Sequence, residues 1–128
     1  MEAWSKDELN KIGSADELQI AAMRADGTLR KPVTIWVVCL GDDLYVRSVN
    51  GRTSAWFRGV QVQHAGRIWA GGMEKDVTFV EEAGPGINEK IDAAYAAKYR
   101  RSPSSVEHIN NPTARTATIK LVPCSTGV

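Results

Sequence analysis

The segment Val33-Thr34-Ile35-Trp36-Val37-Val38-Cys39-Leu40 constrains this chain more than any other feature. It is apolar and rich in β-branched residues at odd and even positions alike, so an extended strand made from it buries both faces. Such a strand is central, and a chain that contains one builds a sheet around it. Gly41-Asp42-Asp43 supplies a tight turn, and Leu44-Tyr45-Val46-Arg47-Ser48-Val49 pairs back to give the clearest hairpin in the chain. With 128 residues there is room for one such core, and a single domain is expected over residues 1–128.

The flanking segments extend the sheet. Ser5-Lys6-Asp7-Glu8 is a capping box that starts a short amphipathic helix from about Lys6 to Ile12, stopped by Gly13. Glu17 to Arg24 alternates in part and reads as a strand with one buried face, followed by an Asp26-Gly27 turn. After a loop, Ser54 caps a short helix whose Trp56, Phe57 and Val60 repeat at helical spacing. Gly66 to Gly72 and Glu74 to Val80 form a second hairpin. Gly84-Pro85-Gly86 breaks the sheet, and Asn88 caps a helix through about Tyr99 with Ile91, Ala94, Tyr95 and Lys98 on one stripe. Arg101 to Ser105 reads as a linker, and Ala114 to Val122 as the last strand.

Six strands with so few helices lack the crossovers that a parallel sheet requires. The fold class expected is mainly β (α+β): a six-stranded antiparallel barrel spanning about residues 16–123. It carries an N-terminal helix, a short helix after the third strand and a helix before the last strand.

Composition removes several function classes. Sixteen Lys+Arg against fifteen Asp+Glu leave a net charge of +1 with no basic patch, so duplex nucleic acid is not the expected partner. No apolar run reaches the ~18 residues of a membrane span. Met1-Glu2-Ala3-Trp4-Ser5-Lys6 does not read as a signal peptide, so the expected location is cytoplasmic. Cys39 reads as a small core hydrophobe, and with Cys124 it makes no disulfide framework. His64 and His108 stand at no ligand spacing, so no metal is expected. Gly71-Gly72 and Gly84-Pro85-Gly86 lack the spacing of a phosphate loop and read as turns.

Specific words in the chain carry a resemblance. They are Asp16-Glu17-Leu18; Arg24-Ala25-Asp26-Gly27-Thr28-Leu29-Arg30-Lys31-Pro32-Val33; Ile35-Trp36-Val37-Val38; and Asp42-Asp43-Leu44-Tyr45-Val46-Arg47-Ser48. Trp56-Phe57-Arg58 and Asp92-Ala93-Ala94-Tyr95-Ala96-Ala97-Lys98-Tyr99 complete the set. Over about Trp4 to Pro123 the chain resembles a bacterial family of unassigned function, domain of unknown function 2255. That family lies in the split β-barrel superfamily that binds flavins and deazaflavin and includes nitroreductase-like and pyridoxamine-phosphate-oxidase-like proteins. The resemblance implies a homodimer with a cofactor groove at or near its interface, holding FMN or deazaflavin for hydride transfer to a small-molecule acceptor. The turn that offers basic and Ser/Gly groups to the cofactor phosphate in the superfamily matches Asp26 to Lys31 here. Arg30 and Lys31 remain, whereas the denser basic-Ser-Gly pattern is missing and Asp26 adds the opposite charge.

The cofactor-binding residues this implies are Arg30, Lys31, Arg47, Ser48, Trp56 and Arg58. Arginine suits a phosphate because its rigid fork binds two oxygens, and Ser48 adds a hydroxyl donor. The competing reading of each cation is a solvated surface residue. Alternation along the strand places Leu44 and Val46 toward the barrel with Ser48, and Arg47 outward with Tyr45. Trp36 reads as core or dimer interface, Trp56 equally as a helix staple or as the wall of a flat ring. Tyr95 and Tyr99 lie four apart on one helical face, which reads as packing against the barrel ahead of leaning over a pocket mouth. The alternative function is a non-catalytic ligand-binding or interaction module that has lost the cofactor. A third reading, single-stranded nucleic acid stacked on the tryptophans of an OB-like barrel, would show itself by steep salt dependence.

Overall fold

A computed structural model describes residues 4–124. Helix α1 (Lys6–Gly13) opens with the expected capping box: the Ser5 hydroxyl accepts from the Glu8 amide, and the Glu8 carboxylate accepts from the Ser5 amide. The sheet is built from β1 (Leu18–Ala22), β2 (Val33–Ile35), β3 (Val37–Leu40), β4 (Asp43–Arg47), β5 (Ala65–Ala70), β6 (Met73–Glu81) and β7 (Thr118–Pro123). All neighbours are antiparallel, in the order β2-β1-β5-β6-β7-β4-β3. Helices α2 (Ala55–Val62), α3 (Pro85–Lys98), α4 (Pro103–Ile109) and α5 (Pro112–Arg115) complete the fold.

The two ends of the sheet, β2 and β3, are consecutive pieces of one segment separated only by Trp36. The sheet therefore nearly closes on itself, with the chain passing from one edge to the other. This is where the sequence reading needs correction. The run from Val33 to Leu40 is two strands, giving seven in place of six. Only β3 has the buried character expected of the whole run: Val37 and Val38 are buried, whereas Val33 and Thr34 are exposed at an edge.

Alternation along β3 and β4 divides the core. Val37, Leu44 and Val46 point into the barrel, where Leu18, Ile20, Ile68, Val77, Phe79, Ile119 and Leu121 meet them. α1 adds Leu9 and Ile12 to this interior cluster, and α2 adds Phe57 and Val60. Val38 and Tyr45 point outward, under Ile91 and Tyr95 of α3 and Ile109 of α4. Cys39 is half-buried against the interior cluster.

Three further boundaries differ from the sequence reading. α3 begins at Pro85 with Gly84 as its N-cap, because proline at the first helical position has its φ already set and loses no bonded amide. Asn88 lies inside the helix, and its amide donates to the carbonyls of Glu82 and Gly84. Ser54 precedes α2 without a side-chain cap bond, its hydroxyl being held by Ser48. The expected linker after Arg101 is mostly helical, since Pro103 and Pro112 each start a short helix, and the last strand begins only at Thr118. No helix among the described residues is long and apolar enough to cross a membrane.

Gly66 lets β5 lie close to its neighbours. A Cβ there would stand 2.2 Å from the Ala21 carbonyl oxygen and 2.9 Å from the Phe79 ring. Gly66→Ala is expected to lower stability by about 1–3 kcal/mol in a urea titration. Gly86→Ala, where no atom lies within 4 Å of the added carbon, is expected to be neutral or stabilising. Equal midpoints for the two variants would refute this close approach.

Candidate functional site

The change of partner at Trp36 leaves a gap on each side of that residue. The β3–β4 ladder ends at Val37↔Val46. Continued, it would set Ile35 opposite Ser48 and Thr34 opposite Val49, but β2 turns away to pair with β1 instead. The β1–β2 ladder ends likewise at Leu18↔Ile35, and its continuation would set Asp16 opposite Val37.

The first gap is an open cleft of about 340 Å³. Thr34, Ile35, Trp36, Arg47 and Val49 line it, together with Ser105, His108 and Ile109 of α4. Glu17 stands at the rim. The lining is mainly apolar with a few polar groups, the make-up of a site for a flat organic ring.

The second gap is plugged from α3. The Tyr99 hydroxyl donates to the Asp16 carbonyl at 2.8 Å and lies 3.3 Å from the Val37 amide, from which it accepts. Lys98 donates to the Val37 carbonyl at 2.6 Å. These side chains supply the main-chain partners that a missing strand would have supplied. The Trp36 ring lies flat on Tyr99, with centroids 3.7 Å apart. Burial pushes the Tyr99 hydroxyl up to about 12.

Arg47 holds the surroundings of the cleft together. Its side chain is 0 % exposed, on the outer face of β4 as alternation requires. Nε donates to Thr118 of β7 at 2.9 Å, Nη1 to Asp92 at 2.5 Å and to Asn110 at 3.0 Å. Nη2 donates to the Asn88 side chain at 2.7 Å and to the Asn88 carbonyl at 3.1 Å. One guanidinium thus ties β4 to β7, α3 and the end of α4. Burial lowers its pKa to about 10, which leaves it charged at neutral pH. Arg115 pairs with the second Asp92 oxygen.

The residues expected to form the site fall into two groups. Arg30 lies over α2: a Cβ at Gly59 would stand 2.8 Å from its Nε. Arg58 is the residue before Gly59 and is exposed, as is Lys31. None of Arg30, Lys31 and Arg58 enters an ion pair among the described residues. Trp56 is half-buried beside Phe57 on the same helix. The buried Ser48 reaches Ser54 at 2.7 Å, just ahead of that helix. Arg47 is the one of the six that lines the cleft, with its donors committed beneath α3.

Asp26 accepts from the Thr28 amide and hydroxyl, and these bonds keep its carboxyl below its ordinary value. Its role at the turn is local. His108, Glu17, Lys98 and the Tyr99 bridge did not stand out in the sequence. His108 fell in the polar stretch between the expected linker and the last strand, to which no element was assigned, although a lysine on the apolar stripe of α3 was a visible sign for Lys98. Among the described residues no group of three His, Cys, Asp or Glu is placed to hold a metal ion.

Arg47→Met is expected to cost about 3–5 kcal/mol in urea unfolding, because it removes the shared donor of Thr118, Asn88, Asp92 and Asn110. Arg47→Lys should recover little of this, since one ammonium cannot reproduce the fork. Arg58→Met serves as the exposed comparison and should stay within about 0.5 kcal/mol. A small loss for Arg47→Met would show that the network does not hold these elements together.

Comparison with known proteins agrees with this architecture. A family model described as an uncharacterized protein conserved in bacteria (DUF2255) matches residues 8–121. No curated protein matches the chain by sequence. Among solved structures, a candidate pyridoxamine 5′-phosphate oxidase from Listeria innocua superposes with a TM-score of 0.66 at 16% identity, covering 91% of this chain and 90% of that one. An F420-H2 dependent reductase gives 0.60 at 15% identity, covering 84% and 93%. An FAD-binding protein from Mesorhizobium loti gives 0.57 at 15% identity, covering 96% and 92%. At these identities the likeness establishes the split-barrel fold.

Proposed function

The chain belongs to the bacterial DUF2255 family, and we propose that it binds FMN or a deazaflavin at the open side of its barrel seam, as a homodimer. The observation that carries this reading is the gap beside Trp36, an apolar cleft that the ladder geometry leaves unfilled. Proteins of the same fold are described as an F420-H2 dependent reductase and an FAD-binding protein, which supports a cofactor of the flavin type.

The residues fit such a group in two parts. Ile35, Trp36, Val49 and Ile109 present apolar surface to a planar ring. Arg30, Lys31 and Arg58 are cations without an ion pair among the described residues, suited to a phosphate. Lys31 precedes Thr34 by three residues, roughly 10 Å along an extended chain, a span the sugar-alcohol tail of a flavin bridges. Ser48, next in the chain to the cleft-lining Val49, and Trp56 on α2 complete the proposed set. Arg47 acts through position, by fixing α4 against the cleft.

The cleft is small for a whole cofactor, near the low end of the ~300–1,000 Å³ of ligand sites. A second subunit over the exposed Val33 and Val49 would deepen it. When bound, the cofactor supplies hydride transfer to a small-molecule acceptor, so no side-chain nucleophile is needed. This chain's own groups bind, orient and shield the ring.

A second reading rests on the Asp26 turn. Its carboxylate precedes Arg30 and Lys31 by four and five residues in the segment that would meet a phosphate, a charge of the wrong sign for one, as expected of a binding or interaction module without redox chemistry.

Titration with FMN and with a deazaflavin, followed by fluorescence quenching, tests the choice. Micromolar affinity for one of them is expected, with a loss of about tenfold or more for the Arg30→Ala, Lys31→Ala double variant. Affinity weaker than about millimolar for both would leave the non-catalytic module standing. A monomer by light scattering would remove the dimeric groove.

A further inference from the structure

The plugged side of the seam opens outward into a second cleft of about 760 Å³, bounded by Asp16, Trp36, Lys98, Tyr99, Arg100 and Arg101. Lys98 is the one amine on this surface. Its Nζ is fixed by the Val37 carbonyl at 2.6 Å and lies 5.0 Å from the centre of the Tyr99 ring. The side chain is partly buried, and the exposed Arg100 and Arg101 follow two and three residues later in the chain. The cleft thus combines a positioned amine, an aromatic wall and two guanidinium groups.

From this grouping we infer that Lys98 is a reactive amine that condenses with an aldehyde bearing a phosphate or similar anion. The amine lone pair adds to the carbonyl carbon, and the resulting carbinolamine loses its oxygen as water to leave an imine. No oxidant or reductant takes part. Arg100 and Arg101 hold the anion, and Trp36, stacked on Tyr99, offers apolar surface to a flat aldehyde. One hydrogen of the neutral amine still reaches the Val37 carbonyl, so the attacking form keeps its anchor.

Burial supports the same assignment, because it lowers the Lys98 ammonium to about 8 against the attraction of Asp16 and of the Cys39 thiol when ionised. The other charged groups facing it are Glu17, Arg100 and Arg101. At neutral pH such an amine holds roughly two orders of magnitude more free base than an ordinary lysine. This site is independent of the flavin reading and stands or falls separately from it.

The test uses the whole protein with pyridoxal 5′-phosphate near pH 7, borohydride reduction and peptide mass mapping. Lys98 is expected to carry at least about tenfold more label than any of Lys6, Lys11, Lys31, Lys75, Lys90 and Lys120. Label spread evenly over the lysines would overturn the inference. Lys98→Arg keeps a donor for Val37 and should abolish the selective label. Pyridoxal without its phosphate, and the Arg100→Gln, Arg101→Gln double variant, should each reduce labelling of Lys98 severalfold. Undiminished labelling in those two arms would overturn the anion recognition on which the inference depends.

Discussion

One extended segment serves as both edges of the sheet, and this constraint shapes everything around it. An inner strand pairs with a neighbour on each side, as β1, β5, β6, β7 and β4 do, whereas this segment pairs with one neighbour at a time. It changes partner at Trp36, giving its first part to β1 and its second to β4. Each choice leaves main-chain groups or side-chain space without a neighbouring strand. One gap becomes a cleft, and the other is filled by the side chains of Lys98 and Tyr99. The two candidate sites are thus consequences of one topological compromise.

One buried cation ties α3 and the end of α4 to the sheet beside that seam. Arg47 would be costly inside a protein if left unpaired, and the fold surrounds it with acceptors from three directions. That demand orients Asn88 and Asp92 on α3 and the end of α4, which brings Ile109 and His108 to the cleft. Arg47 therefore serves the site without offering it a free hydrogen bond. The cations that remain available, Arg30, Lys31 and Arg58, lie on the turn before β2 and on α2.

The surface of the cleft and the interior of the barrel are made from the same residues in alternation. Ile35 packs against the interior cluster, whereas Trp36 faces the layer under α3. A ligand in the cleft would therefore contact side chains whose backbone is set by the core. Such a wall is rigid, which favours recognition by shape over adjustment.

Much of this was readable from residue order alone. The capping box at Ser5 and Glu8, the hairpin turn at Gly41, and the alternation that turned Leu44 inward and Arg47 outward depend on local chemistry and period, which the sequence carries directly. So do the antiparallel class and the resemblance across nearly the whole chain. Tertiary structure decided where the run from Val33 to Leu40 changes partners, because hydrophobicity looks the same on either side of Trp36. It also decided that Arg47 is consumed by distant acceptors, since Asn88, Asp92, Asn110 and Thr118 are 41 to 71 residues away. A sequence records which groups need partners; only the folded chain determines which partners reach them.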